Sequence, residues 1–299
     1  MPNNFFGKRV FSPKGVLKNR VVVKAVRDIL SSVLVEGGLP KSQARKLASS
    51  LVEAAKSSRS TAAYERSARG LVEGSGFHLL LTGKLAERAG IIFSQIKSHV
   101  LAGSVLDLGC GDGQVGKRLA AQGNTVSLAD VYRHPEISRT DLPFKTIGSR
   151  RRLPFRSGSF DTVLLATVLH HSDDPVHLIN EARRVVKLGG RVLVTESVYG
   201  VDGKGIPKAN RGRTAPFLQL TRENQRLANI FFDHLYNRVF HYSEKDSGKV
   251  NVPFNFNTPD GWNSLFQANG LEHLQTVHFG ADYPVVPEYH TLHVLMKAK

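Results

Sequence analysis

Apolar residues recur at helical spacing through the first third of the chain and then gather into short strand-like blocks. Residues 21–35 place Val22, Val26, Ile29, Leu30, Val33 and Leu34 on one stripe, and Gly37-Gly38-Leu39-Pro40 ends it. Residues 42–57 repeat the pattern with Ala44, Leu47, Ala48, Leu51, Val52 and Ala55. Further helices are predicted over 62–72 and 77–100, separated by a Gly74-Ser75-Gly76 hinge; residues 1–20 read as a loose leader. From Ser104 onward the period shortens. Strands are predicted over 105–108, 125–129, 145–147, 161–167 and 191–195, with helices over 114–121 and 175–186 between them. Asp173 or Asp174 offers the N-cap of the second of these helices, Pro175 its first turn, and Gly189-Gly190 its end. A polar, aromatic-rich insert at 201–257 precedes a helix at 258–268, capped by Thr258, and strands at 271–279 and 290–297.

Strand and helix in alternation imply an α/β fold: a doubly wound, mostly parallel sheet, here of seven strands. An N-terminal helical extension at 1–75 precedes the α/β domain at 76–299, with the insert as a substrate-side lid. Its segment 230–241, with Phe231, Leu235 and Val239 on one side, is the expected lid helix. The 299 residues, 41% hydrophobic and 22% charged, match an ordinary globular chain. No apolar run approaches the roughly 20 residues of a membrane span, and the N-terminus lacks a secretory pattern. With a single cysteine, Cys110, these features point to a cytoplasmic protein without a disulfide.

Charge changes the picture at one end. The net +16 is concentrated in residues 1–70, which hold 14 basic and 4 acidic side chains. Such an arm either solubilises or meets an anionic surface, RNA or membrane. As an appendage, it is expected to be dispensable for cofactor binding.

The chemistry centres on Val105-Leu106-Asp107-Leu108-Gly109-Cys110-Gly111-Asp112-Gly113-Gln114, a strand entering a glycine turn and a helix. In an open parallel sheet this is where ligands bind. Gly111, Gly113 and Gly116 also satisfy the dinucleotide spacing, which alone is a weak signal. Asp107 and Asp112 bracket the turn, and like charges about 4 Å apart repel by roughly 4 kcal/mol at an effective dielectric of about 20. A pyrophosphate is therefore disfavoured there and a cationic ligand favoured. Nineteen residues past Gly111, Asp130 ends the second strand, where a carboxylate accepts from ribose hydroxyls.

These residues resemble the class I S-adenosylmethionine-dependent methyltransferases. Residues 105–113, Leu153-Pro154-Phe155 through Asp161, and Ala182 through Gly190 match the family's motifs in order, and Leu169-His170-His171 through Pro175 resembles the ubiquinone and menaquinone methyltransferase subgroup. The resemblance covers about residues 101–200 and implies a Rossmann-like fold with S-adenosyl-L-methionine as cofactor. It implies that Asp107 and the turn Gly109, Cys110, Gly111, Asp112 and Gly113 hold the methionine end, and that Asp130 holds the ribose. It also implies that Val131 and Tyr132 pack on the adenine and that Ala166 and Thr167 line the cleft. Ser149 stands where the family often has an acidic residue for the adenine amino group, and Arg150-Arg151-Arg152 follows it.

Methyl transfer to a hydroxyl or an activated carbon needs a proton acceptor, and His170, His171, His234 and His241 are the candidates. His290 and His293, three apart on a strand, point to opposite faces and do not share a metal; Asp173-Asp174 reads as a helix cap rather than a magnesium site. No metal is expected. The leading function is methylation of a small metabolite or lipid-like intermediate at oxygen or carbon. The alternative is RNA methylation through the basic arm and Arg150–Arg152. A non-catalytic scaffold and a nicotinamide oxidoreductase rank lower.

Overall fold

A computed structural model describes residues 11–148, 151–240 and 251–298. It opens with α1 (Pro13–Val16), α2 (Arg20–Glu36), α3 (Lys41–Ser57), α4 (Thr61–Gly74) and α5 (Phe77–Ile96). The α/β alternation follows as β1 (Ser104–Leu108), α6 (Gln114–Ala120), β2 (Thr125–Asp130), β3 (Phe144–Thr146), β4 (Phe160–Ala166), α7 (Pro175–Val185) and β5 (Val186–Ser197). The insert contributes α8 (Lys208–Leu218) and α9 (Arg222–Leu235), and the chain closes with α10 (Pro259–Ala268), β6 (Leu271–Gly280) and β7 (His290–Lys297).

Among the described residues the strands form one seven-stranded sheet in the order β3-β2-β1-β4-β5-β7-β6. β1 to β5 pair parallel with one another, and β7 runs antiparallel between β5 and β6. The order reverses between β1 and β4, which opens a crevice above their carboxyl ends. Val105, Leu106, Val163, Leu164, Leu193 and Leu295 are buried in the sheet, so the central strands are apolar on both faces. Local chemistry fixes the helix starts. Asn19, Ser60, Asp174, Thr221 and Thr258 each accept a backbone N–H at an N-cap.

Two differences from the sequence reading have physical causes. The leader expected over 1–20 is, in its described half, part of the core: Phe11, Val16 and Leu17 are buried, and Ser12 caps α1. Residues 1–10 lie outside the described residues. The helices that follow do not form a separate arm, because α2 packs on α3, α8 and α9. Glu36 accepts from Arg213 at 3.0 Å and Arg69 donates to the Arg238 carbonyl at 3.1 Å, so the front helices and the insert share one hydrophobic core. Secondly, of the expected lid helix 230–241, residues 230–235 are the end of a longer helix, 236–240 form a π-helical turn, and His241 lies outside the described residues. α9 begins at Arg222, and residues 228–235 are buried all round, so this segment is a packed central element. Phe231, Leu235 and Val239 are all buried. No described helix is long and apolar enough to cross a membrane.

Candidate functional site

The glycine turn sits at the end of β1, above the switch point. Gly109 and Gly113 have φ of 78° and 75°, and a Cβ at Gly109 would stand 2.5 Å from Val168 Cγ2. Glycine is therefore required both for the left-handed backbone and for the close approach of the next loop. The turn is tied down from the neighbouring strand. The Gly109 N–H bonds the Ala129 carbonyl at 2.7 Å, and the Gly111 N–H donates to Asp130 Oδ2 at 2.9 Å. Asp130 also accepts from the Tyr132 N–H at 3.4 Å. Asp112 Oδ1 accepts from the Gln114 N–H at 3.0 Å and so shapes the entry to α6.

Asp107 lies beneath this turn at 2% exposure, and its Oδ2 has no hydrogen-bond partner. Burial pushes its carboxyl up to about 7, the neighbouring Asp130 and Asp112 charges add to the rise, and the Gly116 N–H opposes it. Burial likewise raises Asp130, countered by the backbone N–H groups it accepts from. Two carboxyls under strain of desolvation, one with an orphaned oxygen, form an electronegative floor. They suit a cation and repel a phosphate. Val131, next along, is 49% exposed, an apolar surface at the crevice rim.

A second polar pocket adjoins the turn after β4. Thr167 there has φ of 59°, a strained conformation for a β-branched residue, and its hydroxyl accepts from Arg88 Nη2 at 3.1 Å. The next turn, Leu169–His171, carries both histidines. Glu196, at the end of β5 and fully buried, accepts from the Val168 N–H at 3.1 Å, the Leu169 N–H at 2.6 Å and His170 Nδ1 at 2.5 Å. His171 Nδ1 meets the Asn251 carbonyl at 2.8 Å. Burial holds His170 down to about 3 and His171 well below its ordinary value, so both rings are neutral near pH 7. His171 Nδ1 faces a carbonyl and therefore carries its proton, and His170 Nδ1 does the same when Glu196 is ionised, which then leaves each Nε2 a bare lone pair. Asp233 of α9, Glu288 and His290 complete the pocket wall.

Residues 106–194 match the family described as a methyltransferase domain. Over 104 residues the chain is 32% identical to a ubiquinone biosynthesis O-methyltransferase from Pseudomonas paraeruginosa, covering 32% of this chain and 45% of that protein. Residues 106–194 form a class I S-adenosylmethionine-dependent methyltransferase domain. Over 100 residues the chain is also 31% identical to a 27-O-demethylrifamycin SV methyltransferase from Amycolatopsis mediterranei, covering 30% of this chain and 37% of that protein. A solved SAM-dependent methyltransferase from Methanosarcina mazei is 17% identical with a TM-score of 0.48, covering 68% of this chain and 96% of that one. The chain spans less than half the length of the curated relatives it matches.

Within the methyltransferase domain and its additions, the other sequence candidates disperse. The Ala166–Thr167 pair borders the polar pocket through Thr167. His234 points away from the pocket: its ring stacks on Phe11 at 3.6 Å, and Nε2 meets Glu65 at 3.0 Å, which makes it a packing residue between the front helices and the insert. His241, Ser149 and Arg150 lie outside the described residues. Asp174 caps α7 by accepting from the His177 N–H at 2.9 Å, and Asp173 accepts from Asn251 Nδ2 at 2.8 Å. His290 faces the pocket and bonds Asp282, whereas His293 turns to Asn263 and Phe266 on the far side of the sheet. Sequence reasoning missed Arg88, Glu196, Asp233 and Glu288. Only Glu196 had a local signal, as a carboxylate interrupting the apolar end of a central strand.

Proposed function

We propose that this chain transfers the methyl group of S-adenosylmethionine to an oxygen, or an activated carbon, of a small or lipid-like acceptor held in the polar pocket. The observation that carries the reading is the unpartnered Asp107 Oδ2 beneath the glycine turn, one strand from Asp130. A cofactor carrying a sulfonium and an ammonium group, and no phosphate, fits that floor. Asp130 keeps lone pairs for the ribose hydroxyls beyond those engaged by Gly111 and Tyr132, and Val131 offers an apolar face to the adenine. Asp107, Gly109, Cys110, Gly111, Asp112 and Gly113 form the methionine end of the cradle. The cofactor supplies an electrophilic methyl group. The protein's part is to align the acceptor with it, exclude water and take up a proton in a pocket whose imidazoles are neutral. Oxygen is favoured over carbon as the acceptor atom because two of the relatives are named for O-methylation.

The Asp130→Ala variant is expected to bind S-adenosylmethionine more than tenfold more weakly by calorimetry; an unchanged dissociation constant would refute the ribose assignment. A second prediction concerns pH. The Asp107 carboxyl, raised to about 7, is protonated below that value, whereas a cationic ligand binds the carboxylate form. Affinity should therefore fall as pH drops from 7 to 5.5, by up to about tenfold per unit, and level off above 8. Asp107→Asn should flatten the profile; a slope unchanged in that variant removes Asp107 from the cofactor site. The acceptor is to be identified by labelled-methyl transfer into a cell extract.

A further inference from the structure

We infer that His170, His171 and Asp233 form a binding site for one divalent transition-metal ion, clamping the insert to the sheet. The three side chains place one ligand atom each within 4.8 Å of one another. His170 Nε2 and His171 Nε2 stand 4.0 and 3.7 Å from Asp233 Oδ1, too far for hydrogen bonds. Tetrahedral bonds of about 2.1 Å to one zinc ion set ligand atoms about 3.4 Å apart, so the two contacts must draw in by about 0.3–0.6 Å on binding. The nitrogen pair must also draw together, and the partly buried His171 ring is the more exposed of the two.

The arrangement around the trio supplies the second observation. Each Nδ1 is committed to an acceptor, His170 to the Glu196 carboxylate at 2.5 Å and His171 to the Asn251 carbonyl at 2.8 Å. Metal-bound histidines are oriented in this way, the outer nitrogen donating so that the inner one presents its lone pair. Three acceptor atoms then face one another, none hydrogen-bonded to another. Asp233 is 3% exposed, its Oδ1 accepts from Asn237 Nδ2 at 2.7 Å, and its Oδ2 has no partner. A buried carboxylate oxygen left unpaired beside two lone pairs costs several kcal/mol unless a cation or proton intervenes. Two imidazoles and one carboxylate select zinc, iron(II) or a related borderline ion over magnesium or calcium, and three protein ligands leave a coordination position open. The three side chains line the same pocket as Thr167, Tyr236 and Glu288. The histidines come from the turn after β4 and the aspartate from the insert, so an occupied site joins the two.

The test is Zn2+ titration of the EDTA-treated full chain by calorimetry, with Co2+ absorption as a second readout. One saturable site is expected, weakened about tenfold or more by Asp233→Asn and by His171→Gln, and unchanged by His273→Gln, on β6 and bonded to Thr276 outside the pocket. Visible Co2+ bands should disappear in the same two variants. His171 is only partly buried, so its variant keeps the test informative if Asp233→Asn fails to fold. No saturable binding, or binding that His171→Gln leaves untouched, overturns the site. Neither readout depends on methyl transfer.

Discussion

Removing residues 1–40 is expected to abolish cooperative folding of the chain, or leave it aggregated. Val22, Val26, Ile29, Leu30, Val33 and Leu34 of α2 are each 6% exposed or less. Fully burying one such side chain stabilises by about 1.5–3 kcal/mol, so the stripe alone contributes on the order of 10 kcal/mol. That is comparable with the whole stability of a typical domain, about 5–15 kcal/mol. The deletion also strips Phe11 from His234 and uncovers the apolar faces of α3 and α9. A basic arm gripping an external surface would tolerate the loss; helices built into the core of the insert do not. The check is thermal denaturation by circular dichroism with gel filtration. A monomer melting within a few degrees of the parent would show that the front helices are dispensable.

That prediction reverses an expectation drawn from the sequence, and the reason is instructive. The stripe on α2 was legible because its period is local. What it packs against was not, since α8 and α9 lie nearly two hundred residues away and α8, with Pro216 inside it, has almost no apolar periodicity. Strand identity was legible for the same local reason. β1, β4 and the second half of β5 are apolar blocks, whereas the short edge strand β3 is largely polar. The boundary after α7 shifted, because residues 186–190 continue into β5 in extended form with Gly189 at φ 71°.

The geometry of the glycine turn was legible, since Asp107, Gly109, Gly111, Gly113 and Asp130 are fixed by one strand–turn–helix unit and its neighbour. The adjoining pocket was legible only in its histidines. Arg88, Glu196, Asp233 and Glu288 reach it from four separate elements or loops, and no spacing along the chain announces such a meeting. The absence of a metal set from the sequence reading has the same origin: His170 and His171 are adjacent, but Asp233 arrives from the insert.

The largest single-residue effect is expected at Glu196, a positioning residue. Its carboxylate satisfies the Val168 and Leu169 N–H groups and His170 Nδ1, all in a fully buried setting. It also holds the loop that follows Thr167 and its strained backbone. Glu196→Ala strands three buried donors, each costing about 1–3 kcal/mol, so a loss of about 3–5 kcal/mol in urea unfolding is expected. Burial already pushes the Glu196 carboxyl up to about 7, so part of the intact protein's stability is spent on keeping it there. Glu196→Gln keeps the shape but sets an amide NH2 against one or more of the same donors, and should fall between the parent and the alanine variant. Asp107 and Asp130 are untouched in both, so S-adenosylhomocysteine affinity by calorimetry should stay within about threefold of the parent. Zn2+ affinity should drop about 10–100-fold in Glu196→Gln, because His170 loses the acceptor that sets its tautomer. A merely structural glutamate would lower stability and leave that metal affinity alone; such a result would separate Glu196 from the histidine pair.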